Sequence, residues 1–197
     1  MTVRTRVAVL ISGSGSNMAA LADAARADDA PFEIALVLSN RPGAGGLAIA
    51  GEKGLAVEVV DHRPFGADRE AHERAVDAAL TAHDVEVVAL AGYMRLLTPW
   101  LVQRWAGRML NIHPSLLPKY PGLDTHARAL AAGDLEAGCT VHLVTEGVDE
   151  GPILAQAAVP LLPDDTPASL AQRVLTAEHG LYPRALADFC RAQIRSL

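Results

Sequence analysis

Asn111 and His113 stand two residues apart just ahead of Pro114, a pair in this 197-residue chain whose types and spacing suggest joint chemistry. Residues i and i+2 of an extended strand point to one side. An amide and an imidazole set that way can both donate to a single oxygen, as an oxyanion requires. The pair follows the apolar Met109-Leu110, which reads as the end of a buried strand. It precedes Pro114, Pro118 and Pro121, which fix φ and remove backbone donors. It therefore falls where strand becomes loop, at the carboxyl edge that binds ligands in open parallel sheets. A histidine beside a proline turn is as readily an ordinary surface residue, and the pair alone does not decide.

A second candidate lies near the start. The run Val7-Ala8-Val9-Leu10-Ile11 leads into Ser12-Gly13-Ser14-Gly15-Ser16-Asn17, which opens an Ala-rich helix over about 18–28. A strand, a Gly-rich turn and a helix start aim backbone N–H groups and the positive end of the dipole where a phosphate can sit. Ser14, Ser16 and Asn17 add side-chain donors, although an ordinary βα turn of small residues is the competing reading. A dinucleotide fingerprint needs glycine where Met18 stands. No Gly-Lys-Ser/Thr follows, which excludes a nucleotide P-loop, and Ser14 lacks the outer glycines of a nucleophile elbow. The next strand, Ile34 to Leu38, ends in Ser39-Asn40-Arg41 with no acid for a ribose diol. Arg41 could meet a 2′-phosphate instead. On these residues alone an NADP-dependent oxidoreductase stays open, as does a non-catalytic phosphate sensor.

The longer string decides more. Asn111-Ile112-His113-Pro114-Ser115-Leu116-Leu117-Pro118 closely resembles the signature of the folate-dependent formyltransferases. Its continuation, Lys119-Tyr120-Pro121-Gly122, resembles the branch that formylates glycinamide ribonucleotide in purine synthesis. The resemblance runs from Ser12 to Pro183. It implies transfer of the formyl group of 10-formyltetrahydrofolate, a co-substrate, to the amine of N1-(5-phosphoribosyl)glycinamide, with no metal. By that resemblance Asn111, His113 and Asp149 are catalytic. Asp149 would favour the charged imidazole of His113 and order the water that removes a proton. Gly13, Ser14, Gly15, Ser16, Asn17 and Glu178 would hold the ribonucleotide. Arg69, Met94, Arg95, Leu96, Leu97, Asn111, Thr145, Val148 and Asp149 would hold the folate, with His126 and His142 in support.

Taken without the resemblance, Asp149 reads as a solvated loop acid, Glu178 as part of a polar helix face, and Met94, Leu96 and Leu97 as core. The sequence departs from the family pattern at Glu150, where many members have glycine, and at Asp124, where some have histidine. The methionyl-tRNA enzyme of the family carries an added C-terminal domain and the deformylase an added N-terminal one. The length here suits neither.

The elements that must position these groups follow from periodicity. Val-rich runs alternate with Ala-rich helical stretches, the pattern of an α/β sheet protein. The expected fold is a Rossmann-like formyltransferase fold, with a mostly parallel twisted sheet, helices on both faces and a later antiparallel strand. One domain over 1–197 is expected, its first half (about 1–100) on the phosphate and its second (about 101–197) on catalysis and folate. Strands are expected at Ala56 to Val60, Val85 to Ala91, Met109 to Ile112, Gly138 to Thr145 and Ile153 to Leu161. The helix over Ala67 to His83 is expected to bury Ala71, Ala75, Ala78 and Ala79, with most of Asp68, Arg69, Glu70, Glu73 and Arg74 solvated. The C-terminal helix is expected to break near Gly180 and Pro183. A net charge of −6 argues against a nucleic-acid binder. Only Cys139 and Cys190 are present, with no CxxC, which suits a reducing cytoplasm. No run is apolar enough to span a membrane. A monomer or weak homodimer acting on small molecules is expected.

Overall fold

The computed structural model describes residues 4–194, so both ends of the expected 1–197 unit lie outside the described residues. In chain order the elements are β1 (Thr5–Ile11), α1 (Ser16–Ala24), β2 (Phe32–Ser39), α2 (Gly45–Glu52) and β3 (Val57–Val59). Next come α3 (Arg69–Ala82), β4 (Val87–Leu90), α4 (Pro99–Arg104), β5 (Met109–His113) and α5 (Thr125–Ala132). The chain closes with β6 (Glu136–Leu143), β7 (Ile153–Pro160) and α6 (Pro167–Ile194).

The seven strands form one sheet in the order β3-β2-β1-β4-β5-β6-β7. β1 pairs in parallel with β2 and β4, and β4 with β5; β6 then runs antiparallel to both β5 and β7. The central strands are apolar on both sides because both sides are covered. Val7, Val9 and Ile11 join a core shared with α1, α5 and α6, while Ala8 and Leu10 join another shared with α3 and α4.

α6 runs unbroken through Pro183, against the expected break. A proline inside a helix costs about 3 kcal/mol. Here that cost is outweighed by burial of Leu181, Tyr182, Ala185 and Leu186, and Arg184 Nε donates to the Gly180 carbonyl at 2.9 Å. Tyr182 is fully buried, and its hydroxyl reaches the carbonyls of Leu90 (3.1 Å) and Leu110 (3.3 Å). α6 is thereby fixed to β4 and to β5, the strand whose carboxyl end carries the Asn111–His113 pair.

Three other expectations need correction. α1 ends at Ala24 rather than near 28, because the Arg4 guanidinium takes the carbonyls of Ala25, Ala27 and Asp28 and turns the chain out of the helix. α3 buries His72, Glu73, Val76, Ala79 and Leu80; of the expected alanines Ala79 is buried, while Ala71 and Ala75 are half-buried and Ala78 is exposed. Glu73 is thus not solvated: it accepts from the Thr98 N–H (2.7 Å) and hydroxyl and pins the start of α4. Finally, His113 lies within β5, paired with Thr140, rather than in the loop beyond it.

Candidate active site

β1 and β4 are neighbours, but the chain leaves β1 toward β2 on one side and β4 toward β5 on the other. Such a switch point leaves a crevice beyond the carboxyl ends. A cleft of about 250 Å³ opens there, lined by 12–17 after β1, Arg41 after β2, and Ala91, Gly92 and Met94 after β4. Gly15 N-caps α1 in the left-handed region, φ 76°, and no side chain caps the helix. Its first N–H groups are left for a ligand, with the positive end of the dipole behind them. A Cβ on Gly15 would lie 2.5 Å from Gly46 Cα, so only glycine permits this approach.

Asn17 and Glu178, from opposite ends of the chain, meet beside the cleft. Asn17 Nδ2 donates to Glu178 Oε2 at 2.6 Å, and Asn17 Oδ1 has no partner. Burial pushes the Glu178 carboxyl up, and the Asn17 amide offsets part of that rise. The structure thus brings Gly13, Ser14, Gly15, Ser16, Asn17 and Glu178 together.

One strand over, Asn111 and His113 share a face of β5, as alternation dictates. The antiparallel register sets His142 of β6 opposite Asn111. His142 Nδ1 meets the Leu143 carbonyl at 2.9 Å, so that nitrogen donates. Its Nε2 lies 3.2 Å from Asn111 Nδ2, a contact that holds the Asn111 amide in place. Asp149 reaches this group from the β6–β7 loop, its Oδ2 3.3 Å from His113 Nδ1 and its Oδ1 3.6 Å from His142 Nε2. The loop closes on itself at Gly151, where a Cβ would overlap the Leu143 carbonyl. Asp149 sits at φ 56°, uncommon for a non-glycine residue. Burial pushes its carboxyl up, but the His142 ring, the Gly122 N–H at 2.9 Å and the His113 charge together hold it below the ordinary range.

His113 Nε2 lies 2.9 Å from the Tyr120 carbonyl, and Tyr120 is itself left-handed at φ 57°. Both ring nitrogens therefore face oxygen acceptors, an arrangement that a doubly protonated imidazole satisfies. No residue type or spacing marks the Tyr120 carbonyl as a partner of His113. The Gly122 N–H was legible only as part of a proline-glycine turn.

Met94 and Leu96 are 58% and 63% exposed, which overturns the core reading for both; Leu97 is half-buried against the α3–α4 side. Thr145 and Val148 are exposed on the same loop as Asp149. Arg69 opens α3, and no hydrogen bond or ion pair ties it to the Asn111–His113–Asp149 group. His126, in α5, is half-buried with Nδ1 unpartnered; burial lowers its basicity and the nearby His113 charge lowers it further. Asp124 occupies the left-handed N-cap of α5 at φ 58° without a side-chain cap. Among the described residues no group of His, Cys, Asp or Glu is placed to hold a metal, and no helix is long and apolar enough to cross a membrane.

The chain is similar to a phosphoribosylglycinamide formyltransferase from Brucella melitensis, a solved structure 57% identical that superposes with a TM-score of 0.91 over 95% of this chain and 96% of that one. It is 42% identical to the phosphoribosylglycinamide formyltransferase of Escherichia coli (strain K12), over 96% of this chain and 89% of that protein. It is 53% identical to part of the trifunctional purine biosynthetic protein adenosine-3 of Drosophila melanogaster, matching 93% of this chain but spanning about 14% of that longer protein. The model of the formyl transferase family matches residues 5–186, and the chain belongs to that family.

Proposed function

We propose that this chain transfers the formyl group of 10-formyltetrahydrofolate to the amine of N1-(5-phosphoribosyl)glycinamide in purine biosynthesis, releasing tetrahydrofolate. The observation that carries the reading is the seating of His113 between the Asp149 carboxylate and the Tyr120 carbonyl, with Asn111 on the same strand face. The uncapped start of α1, one strand pair away, suits the phosphate of the ribonucleotide. The half-exposed apolar side chains of Met94 and Leu96 suit a pterin.

The amine nitrogen attacks the formyl carbon, forming the new C–N bond and moving the carbonyl electrons onto oxygen. Asn111 Nδ2, held in orientation by His142, donates to that oxygen, and His113 supplies the positive charge. His113 Nε2 exchanges the Tyr120 carbonyl for the oxyanion, while Asp149 keeps Nδ1. A water ordered by the Asp149 carboxylate takes the proton from the attacking nitrogen. Collapse restores the carbonyl and breaks the bond between the carbon and N10, and the same water delivers its proton to N10 as it leaves. One well-placed oxyanion donor contributes on the order of 10²–10³ in rate.

The enzyme is proposed to act as one catalytic unit over 1–197, its first hundred or so residues on the ribonucleotide. It works in the cytoplasm as a monomer or weak homodimer, a setting supported by two buried free cysteines. The family match favours this reaction over an NADP-dependent oxidoreductase. The test is the absorbance change as 10-formyltetrahydrofolate loses its formyl group, with and without glycinamide ribonucleotide. Loss that requires the ribonucleotide supports the reading; equal loss without it would make the chain a deformylase.

A further inference from the structure

Ser12 lines the cleft, but its side chain is not free to meet a ligand. It is 4% exposed, and its hydroxyl donates to Asn40 Oδ1 at 2.5 Å while accepting from the Met94 N–H at 2.8 Å. Its own N–H donates to the Gly92 carbonyl at 3.1 Å. Asn40 is fully buried, and its carbonyl is held by His62 Nδ1 at 2.8 Å, so the far end of this chain of bonds is fixed. The three loops that leave β1, β2 and β4 are therefore joined at one hydroxyl.

The consequence is largest for the loop after β4. Ala91 is tied back to Leu10, and Thr98 is tied to Glu73. Between those ends, among the described residues, segment 92–97 makes hydrogen bonds to Ser12 alone. Tyr93 and Leu97 pack against the α3–α4 core, but Met94 and Leu96 stand out into solvent, so the backbone at Met94 is held chiefly by its bond to Ser12. Meanwhile Ser12 opens the turn that runs through Gly13 and Gly15 into α1. A ligand that orders this turn also restrains Ser12, and through it the Met94 amide. Ordering done by one ligand need not be done again by the next, which is positive cooperativity.

We propose that Ser12 is a positioning residue that couples the two substrate subsites, so that ribonucleotide on the 12–17 turn pre-orders segment 92–97 for the formyl donor. The inference rests on the substrate assignments proposed above. Coupling is reciprocal and is read as a ratio of dissociation constants. Calorimetry would measure the Kd of 5,8-dideazafolate, which has no formyl group to lose, alone and with saturating glycinamide ribonucleotide. The wild-type protein should bind it at least about fivefold more tightly with the ribonucleotide present, and Ser12→Ala should bring that ratio close to one. A merely structural Ser12 would weaken both constants alike and leave the ratio unchanged, and that result would overturn the inference, as would a wild-type ratio of one. A wild-type protein that bound neither ligand would instead overturn the substrate assignment and the coupling with it. If Ser12→Ala does not fold, hydrogen exchange on the wild type decides: ribonucleotide alone should slow exchange at the Met94 amide, and an unchanged rate overturns the proposal.

Discussion

Oδ2 of Asp149 lies 3.3 Å from Nδ1 of His113 and at the same time accepts the Gly122 N–H at 2.9 Å. One oxygen thus locks the loop acid to the strand histidine and to the turn that follows it. The histidine ring is held between the Asp149 carboxylate and the Tyr120 carbonyl, and the predictions below follow from that arrangement and from its neighbours.

His113→Ala should lower turnover on the order of 10²-fold or more. Calorimetry should find the affinity for each substrate little changed, because the interaction strengthens only in the transition state. A variant that lost folate affinity and kept its turnover would make His113 a structural residue.

Asp149→Asn should keep the loop, since asparagine tolerates the left-handed conformation seen at this position. Turnover should still fall on the order of 10²-fold. The alkaline limb of the rate profile should move to lower pH, because an amide holds an imidazolium less well than a carboxylate does. Rates followed from pH 5 to 10 test both points; a near-normal rate would remove Asp149 from the mechanism.

Leu96→Ala should leave the melting temperature nearly unchanged, because the side chain is 63% exposed. It should raise the KM for the formyl donor by about fivefold or more, as one lost apolar contact costs about 1–3 kcal/mol. A drop in melting temperature with an unaltered KM would return this residue to the core.

Gly15→Ala should destabilise the fold by about 1–3 kcal/mol, from its left-handed backbone and from a Cβ 2.5 Å from Gly46 Cα. Gly13→Ala is the control, since its Cβ would meet nothing within 4 Å. Urea titrations of the two should therefore separate clearly.

Glu178 supplies a pH signature. Burial raises its carboxyl above the ordinary 4.5. Between 4.5 and the raised native value the folded state binds more protons than the unfolded one. The contribution is therefore intact at low pH and lost as pH rises through that window. Glu178→Gln should melt higher than wild type near pH 8, with the gap closing as pH falls to 4. A gap that widened in acid would reverse the assignment.

Much of this was legible in the sequence because it depends on neighbours along the chain. The apolar run to Ile11 set a buried strand, and the glycines at 13 and 15 set a turn that opens a helix. Alternation alone placed Asn111 and His113 on one face of a strand. Residue chemistry marked a donor pair, and the longer motif implied Asp149, Glu178 and the folate segment. Propensity misled where distant contacts outweighed it: Pro183 sits in an unbroken α6 because Tyr182 and its neighbours are buried, and Glu73 is buried because Thr98 needs an acceptor. Other features had no local cause at all. The Tyr120 carbonyl meets His113 only through the path of the proline loop, and Asn17 finds Glu178 across 161 residues. Ser12 finds Met94 across 82, because β1 and β4 lie side by side in the sheet. A sequence sets which groups are available and the conformation of short stretches, since those energies are local. Which groups meet is decided by strand order, register and loop path, and these exist only once the whole sheet has formed.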